Sequence, residues 1–132
     1  MIYFLRRAGS QFLLKQERSQ QCKVFLNKTV TGEIKALVTD FSIDSIIIVM
    51  KRSGLDVKII RSFLRKLIKS KGAKIYYITT KDRLEALKAM EEYNLDYEDA
   101  IILQTALVNN SNEIVSFDKH FDKVESVKRV EP

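Results

Sequence analysis

Residues 95–121 read LDYEDAIILQTALVNNSNEIVSFDKHF, and the order of patterns inside this stretch decides the fold class. An acid-led apolar run from Leu95 to Leu107 predicts a helix, with Asp96 as its cap. Asn109-Asn110-Ser111-Asn112 are turn formers that end it. Ile114 to Phe117 then predicts a short buried strand, which delivers another carboxylate, Asp118, at its end. Asp96 and Asp99 are three apart, so one helical turn predicts them on the same face. If the helix and the strand pack as neighbours, Asp99 and Asp118 converge at one mouth of a sheet. Converging carboxylates repel each other, and a hard divalent cation is their usual neutraliser. The stretch is therefore a candidate metal site.

Working outward, Met1 to Leu5 is a short apolar, aromatic run that predicts a buried strand. Residues from about Lys15 to Lys28 have Cys22, Phe25 and Leu26 at helical spacing, closing near Thr31-Gly32. Ala36 to Thr39 is a brief strand. Phe41 to Met50 is ambiguous by periodicity, because Ile46 to Met50 are all apolar. Its ends favour a helix, with Asp40 as cap and a basic last turn, Lys51-Arg52, before Gly54. Val57 to Lys69 predicts a helix with a wide apolar stripe of Ile59, Ile60, Phe63, Leu64, Leu67 and Ile68. Lys74 to Ile78 predicts a strand. Thr80 would cap the next helix, Lys81 to Tyr93, with Leu84, Ala86, Leu87 and Met90 as its apolar face. Val127 to Val130 completes the strands. Such alternation implies an α/β layer with a mainly parallel sheet, whose ligands bind beyond the carboxyl ends of the strands.

The chain has 132 residues, of which 45% are hydrophobic and 30% charged, which predicts a single domain with a proper core. No apolar run approaches the roughly 20 residues a membrane span needs, and no signal-peptide core is evident. One cysteine, Cys22, excludes an internal disulfide framework and suits a reducing cytoplasm. One cysteine with one histidine excludes a structural zinc site. A net charge of +6 permits a polyanionic partner. Lys58, Arg61, Arg65 and Lys69 recur at helical spacing; a solvated outer face is the plainer reading, and a phosphate track the functional one. His120 reads as a surface residue near Asp118, and no phosphate-binding glycine loop is present.

The chain resembles the PIN domain family, the metal-dependent ribonuclease fold that includes VapC-type toxins. The Asp99-Ala-Ile-Ile run opening a helix, the strand ending Ser116-Phe117-Asp118, Phe121, and Val38-Thr39-Asp40-Phe41 carry the resemblance. It implies a three-layer α/β/α fold with a mainly parallel central sheet of about four to five strands. It further implies four acids that bind magnesium or manganese and hydrolyse RNA. Two carry over, as Asp99 and Asp118, with Ser116 at the usual hydroxyl position. Asp96 and Asp122 are additional carboxylates nearby in sequence. The other two depart from the pattern. Arg6 falls where the first strand should end in aspartate, and the helix acid falls on Ser45, with Asp44 turned away by about 100°. In a second placement Met1 to Leu5 belongs to the first helix instead.

An arginine in place of that aspartate changes the local charge by two units, and each unit at 4 Å is worth about 4 kcal/mol at an effective dielectric of 20. Arg6 would then stand partly in the cation's place. Two readings follow. One is a metal-dependent endoribonuclease using Asp99 and Asp118, aided by Asp96, Asp122 or Asp44, with Lys119, Arg61, Arg65 and Lys69 on the RNA phosphates. The other is a degenerate PIN-like module that binds RNA or a protein without cleavage. RNA, an antitoxin-like protein and a second copy in a homodimer are the partners these readings imply.

Overall fold

Every strand pairing among the described residues is parallel, so the chain must cross over between paired strands. The computed structural model describes residues 2–3, 24, 27–115 and 119–131. Its strands are β1 (Ile2–Tyr3), β2 (Ala36–Thr39), β3 (Ala73–Tyr76), β4 (Glu113–Val115) and β5 (Lys128–Val130). Two ladders form, β1-β4-β5 and β2-β3. Ile2 pairs with Ile114, Ala36 with Ala73, and Glu113 with Lys128. β1 also runs beside β2, so the order across the molecule is β3-β2-β1-β4-β5. The first residues thus supply a strand, as the first of the two placements expects.

The described α-helices between β2 and β4 are α1 (Asp40–Arg52), α2 (Val57–Lys69), α3 (Thr80–Tyr93) and α4 (Tyr97–Val108). Alternation along β2 shows how they are layered. Ala36 and Val38 belong to a core with Ile46, Met50, Ile60 and Leu67, from α1 and α2. Leu37, pointing the other way, packs on a core built from Ala86 of α3, α4, Ile114 and Phe121. The sheet is therefore sandwiched, α1–α2 on one face and α3–α4 on the other. None of the described helices is long and apolar enough to cross a membrane.

α1 settles the ambiguity of the Phe41–Met50 stretch. Ser42, Ile46 and Met50 are buried at four-residue spacing, while Ile48 is exposed. Its cap is Thr39, one residue earlier than predicted: Thr39 Oγ1 accepts from Ser42 N at 2.9 Å and donates to Ser42 Oγ at 2.8 Å. Asp40 instead tethers the strand ends, its Oδ1 accepting from Phe41 N at 2.9 Å and from Ile78 N at 3.1 Å. The end signals hold, with Lys51 and Arg52 in the last turn and Gly54 at φ +83°.

α2 has the predicted bounds but a narrower stripe. Ile60 and Leu67 are buried and Phe63 and Leu64 half-buried, whereas Ile59 and Ile68 are exposed. Those two lie about a quarter-turn to either side of the buried line, where cover runs out. The helix predicted over 15–28 falls largely outside the described residues, Cys22 included. Its described end, residues 27–31, is helical and closes at Gly32 with φ +86°. There the chain is laced to the loop before β3: Gly72 N donates to Thr29 O at 3.1 Å and Ala36 N donates to Gly72 O at 2.7 Å.

α3 begins one residue before its predicted start, with Thr79 rather than Thr80 as cap. A capping box joins Thr79 and Asp82, with Asp82 N donating to Thr79 Oγ1 at 3.1 Å and Thr79 N donating to Asp82 Oδ2 at 3.0 Å. The predicted apolar face is corrected too: Ala86 is buried, but Leu84 and Leu87 are exposed. The helix docks instead through Ala86, Ala89, Met90 and Tyr93. Small residues at that spacing let α3 approach α4 closely.

Asp82 is buried and also accepts from Tyr76 Oη at 2.7 Å. Burial pushes its carboxyl pKa up, but bonds from the Thr79 amide, Tyr76, the Thr79 hydroxyl and Gln104 outweigh that and lower it. The Tyr76 phenol is pushed up from 10.0 to about 12 by its bond to Asp82, by burial and by the Asp82 charge. The fold thus favours the neutral phenol. Its stabilising contribution is whole below pH 10 and is lost as pH rises towards about 12. Denaturant titrations of Tyr76→Phe across that window should show a shallower alkaline loss of stability than the parent protein; equal slopes would contradict the linkage.

Candidate active site

The candidate site is organised by the start of α4. Asp96 is the N-cap, in extended conformation (φ −72°, ψ 169°), and its Oδ1 accepts from Asp99 N at 2.8 Å. Asp96 therefore lies outside the helix, exposed and engaged as a cap, and does not share a helical face with Asp99 as predicted. Asp99 sits in the first turn and is 2% exposed. The partial positive charge of the helix N-terminus favours the acids gathered there, Asp96, Glu98 and Asp99. Behind them α4 is buried almost all round, with Ala100 to Leu103, Thr105 and Ala106 all inaccessible. This is why its sequence lacks a polar face.

α4 packs on β1 and β4. Just beyond β4 the chain forms a short 3-10 helix, Lys119–Lys123, anchored by the fully buried Phe121. That turn brings His120 Nδ1 to 3.4 Å from Asp99 Oδ2. The imidazole is 61% exposed and the carboxylate 3%. Asp99 is therefore held at the carboxyl edge of the sheet, where ligands bind in folds of this kind. The contact becomes an ion pair when His120 is protonated. Sequence reasoning placed His120 at the surface but did not pair it with Asp99; the signal was its position two residues after Asp118.

The other predicted residues are placed as follows. Asp118, Ser116 and Arg6 lie outside the described residues. Asp122 accepts from Arg129 Nε at 2.7 Å and from Nη2 at 3.4 Å, and Arg129 also donates to Glu131 at 3.1 Å. The Arg129 bond holds the Asp122 carboxyl below its ordinary range. Asp44 is exposed on α1, and Ser45, beside it, is half-buried. Lys119 is exposed next to His120, whereas the exposed Arg61, Arg65 and Lys69 belong to α2, in the opposite layer. Among the described residues, no three His, Cys, Asp or Glu side chains come together to hold a metal ion.

The sequence model of the PIN domain matches residues 10–127. The chain belongs to the PIN domain family. Among solved structures, this PIN domain is similar to a chain of a toxin–antitoxin complex from Klebsiella pneumoniae, at 18% identity, with both chains covered completely and a TM-score of 0.70. At that identity the likeness is one of fold. No curated protein matches the sequence. The family assignment agrees with the resemblance drawn from residues 95–121, and the three-layer parallel architecture agrees with the fold expected from it.

Proposed function

We propose that this PIN domain is a metal-dependent RNA endonuclease of the toxin type, working from a reduced acid set centred on Asp99 and Asp118. The observation that carries the reading is Asp99 itself: a carboxylate almost withdrawn from water, held at the carboxyl edge of a parallel sheet with an imidazole against it. Carboxylate oxygens are the right donors for Mg²⁺ or Mn²⁺. The described alternatives fit less well, because Asp96 is a cap, Asp122 belongs to Arg129 and Asp44 is exposed on α1. Asp99 and Asp118 are the residues that would hold the ion, which when bound supplies a polarised phosphodiester oxygen and an ionised water.

The chain's own contribution is to fix Asp99 through the N-terminus of a fully packed helix and to place positive charge beside it. Lys119, and His120 when protonated, attract the RNA backbone next to the carboxylates. The α2 basic face, in the other layer, serves more distant phosphates. The partner assigned by this reading is an antitoxin-like protein, in keeping with the complex that contains the structural neighbour. Incubating the protein with single-stranded RNA and Mn²⁺ should yield internal cleavage that EDTA stops. Intact RNA with Mn²⁺, or cleavage indifferent to EDTA, would exclude this mechanism.

One observation favours a non-cleaving module that binds RNA or protein: Ser45 takes the more enclosed position on α1 while Asp44 is exposed. Calorimetry separates the two readings, since heat from Mn²⁺ binding that vanishes in Asp99→Asn supports the nuclease and its absence the module.

A further inference from the structure

Tyr77 stands at 70% exposure immediately beyond the carboxyl end of β3. Single exposed aromatics are ordinary on a protein surface; the place and the fixing of this one are not. Tyr76 and Ile78, on either side of it, both pack on the core of α3 and α4, so the residue between them is turned out of that core. Its backbone cannot swing in to hide the ring. Ile78 N donates to Asp40 Oδ1 at 3.1 Å, and Ile78 O accepts from Arg83 Nη1 at 2.9 Å. Of Tyr76, Tyr77, Tyr93 and Tyr97, only Tyr77 is exposed.

Tyr77 lies on the same edge of the sheet as Asp99. Asp40, which ties down Ile78, begins α1 beyond β2, and its neighbour Phe41 meets Tyr97 edge-to-face with ring centroids 5.9 Å apart. Tyr97 in turn stands two residues before Asp99 at the start of α4. A short series of contacts therefore joins Tyr77 to the candidate site along the carboxyl edge. In the order of strands β3 and β4 are three spacings apart, about 14 Å. Positive charge stands at both ends of that span, Lys81 and Arg83 just after Tyr77, and Lys119 beside His120. Nearby acids are engaged: Asp40 by two backbone amides, Asp82 by Tyr76 and Asp96 as a cap.

We propose that Tyr77 is a stacking residue for an unpaired nucleobase of RNA, a few nucleotides away from the phosphate at Asp99. The inference deepens the RNA reading above and rests on it, but on neither a bound metal nor cleavage. An aromatic ring accepts any base, because every base has a π-face. It rejects duplex RNA, whose bases are already paired and stacked on one another. The flanking lysine and arginine suit the phosphate backbone that must pass the ring. The edge thereby selects flexible, single-stranded segments over paired ones.

Fluorescence anisotropy with labelled RNA in EDTA, where binding is read without cleavage, tests this on the full chain. Tyr77→Ala should weaken binding of a single-stranded oligonucleotide about tenfold or more, and Tyr77→Phe should bind as the parent does. Duplex RNA should bind the parent and Tyr77→Ala alike. A scan of single abasic nucleotides should find one position where the parent loses about tenfold and Tyr77→Ala loses nothing further, the coupling expected of groups in contact. Removing so exposed a ring should leave the fold intact, which matching melting temperatures verify. Equal affinities of Tyr77→Ala and parent for the single strand, an equal loss on duplex RNA, or additive losses at every abasic position would each overturn the stacking role alone. A parent protein that binds no RNA would remove the RNA reading together with it.

Discussion

Asp99→Asn is expected to lower Mn²⁺-dependent RNA cleavage by about a thousandfold while leaving the fold intact. Removing one unit charge at 4 Å from a cation forfeits about 4 kcal/mol at an effective dielectric of 20. At 1.36 kcal/mol per decade that is roughly three orders of magnitude in rate. Asparagine keeps the shape of the side chain and can still meet His120 Nδ1, which lies 3.4 Å from Asp99 Oδ2. The backbone bond from Asp99 N to Asp96 is untouched. Single-turnover cleavage with a thermal melt in parallel is the check. Asp122→Asn is the control, expected to change the rate less than about threefold, since its carboxylate is a surface partner of Arg129. A folded Asp99→Asn protein that cleaves at the parent rate would remove Asp99 from the site, and with it the proposed mechanism.

Gly72→Ala is expected to destabilise the protein by about 3 kcal/mol or more, because overpacking against rigid backbone has nowhere to relax. A Cβ at Gly72 would collide with the carbonyl oxygen of Ile34 and lie 2.7 Å from that of Thr29. Both belong to the segment that Gly72 laces to β3 by hydrogen bonds, so neither can retreat without breaking them. At this chain length the loss corresponds to a fall of about 10 °C in melting temperature. Gly54→Ala provides the contrast. Nothing lies within 4 Å of its added Cβ, and the cost comes only from φ at +83°, about 1 kcal/mol. If the two variants melted together, the close approach at Gly72 would be wrong.

Much of the architecture was legible because terminal signals and burial patterns agreed. Phe41 to Met50 could not be assigned from its apolar run, yet its polar start and basic end marked it as helix. α4 was legible for the opposite reason, being apolar on every side. The apolar face of α3 was half legible: Ala86 and Met90 pack inward as expected, but Leu84 and Leu87 are exposed and the small Ala89 packs in their stead. Close helix packing selects small residues, and size alone does not reveal which face is turned inward. At the site, the position of Asp99 followed from the motif it belongs to. The pairing of Asp122 with Arg129 depends on how the turn after β4 meets β5, which local spacing does not encode. Asp40 was read as a local cap, whereas its carboxylate reaches Ile78 across the sheet, a contact that exists only once β2 and β3 are aligned.

The position of β1 also bears on how the molecule comes into being. It joins two halves of the sheet, yet its ladder partner is β4, with Ile2 opposite Ile114. A ribosome making this polypeptide must hold β1 without its mate until residues 114 and 115 have been added. The loop that closes runs from Ile2 to Ile114, which makes for slow folding and a long exposure of unpaired edges. Until that closure, the carboxyl edge that carries Asp99 has no neighbouring strand across the middle of the sheet. Translation alone thus delays the moment at which the sheet closes.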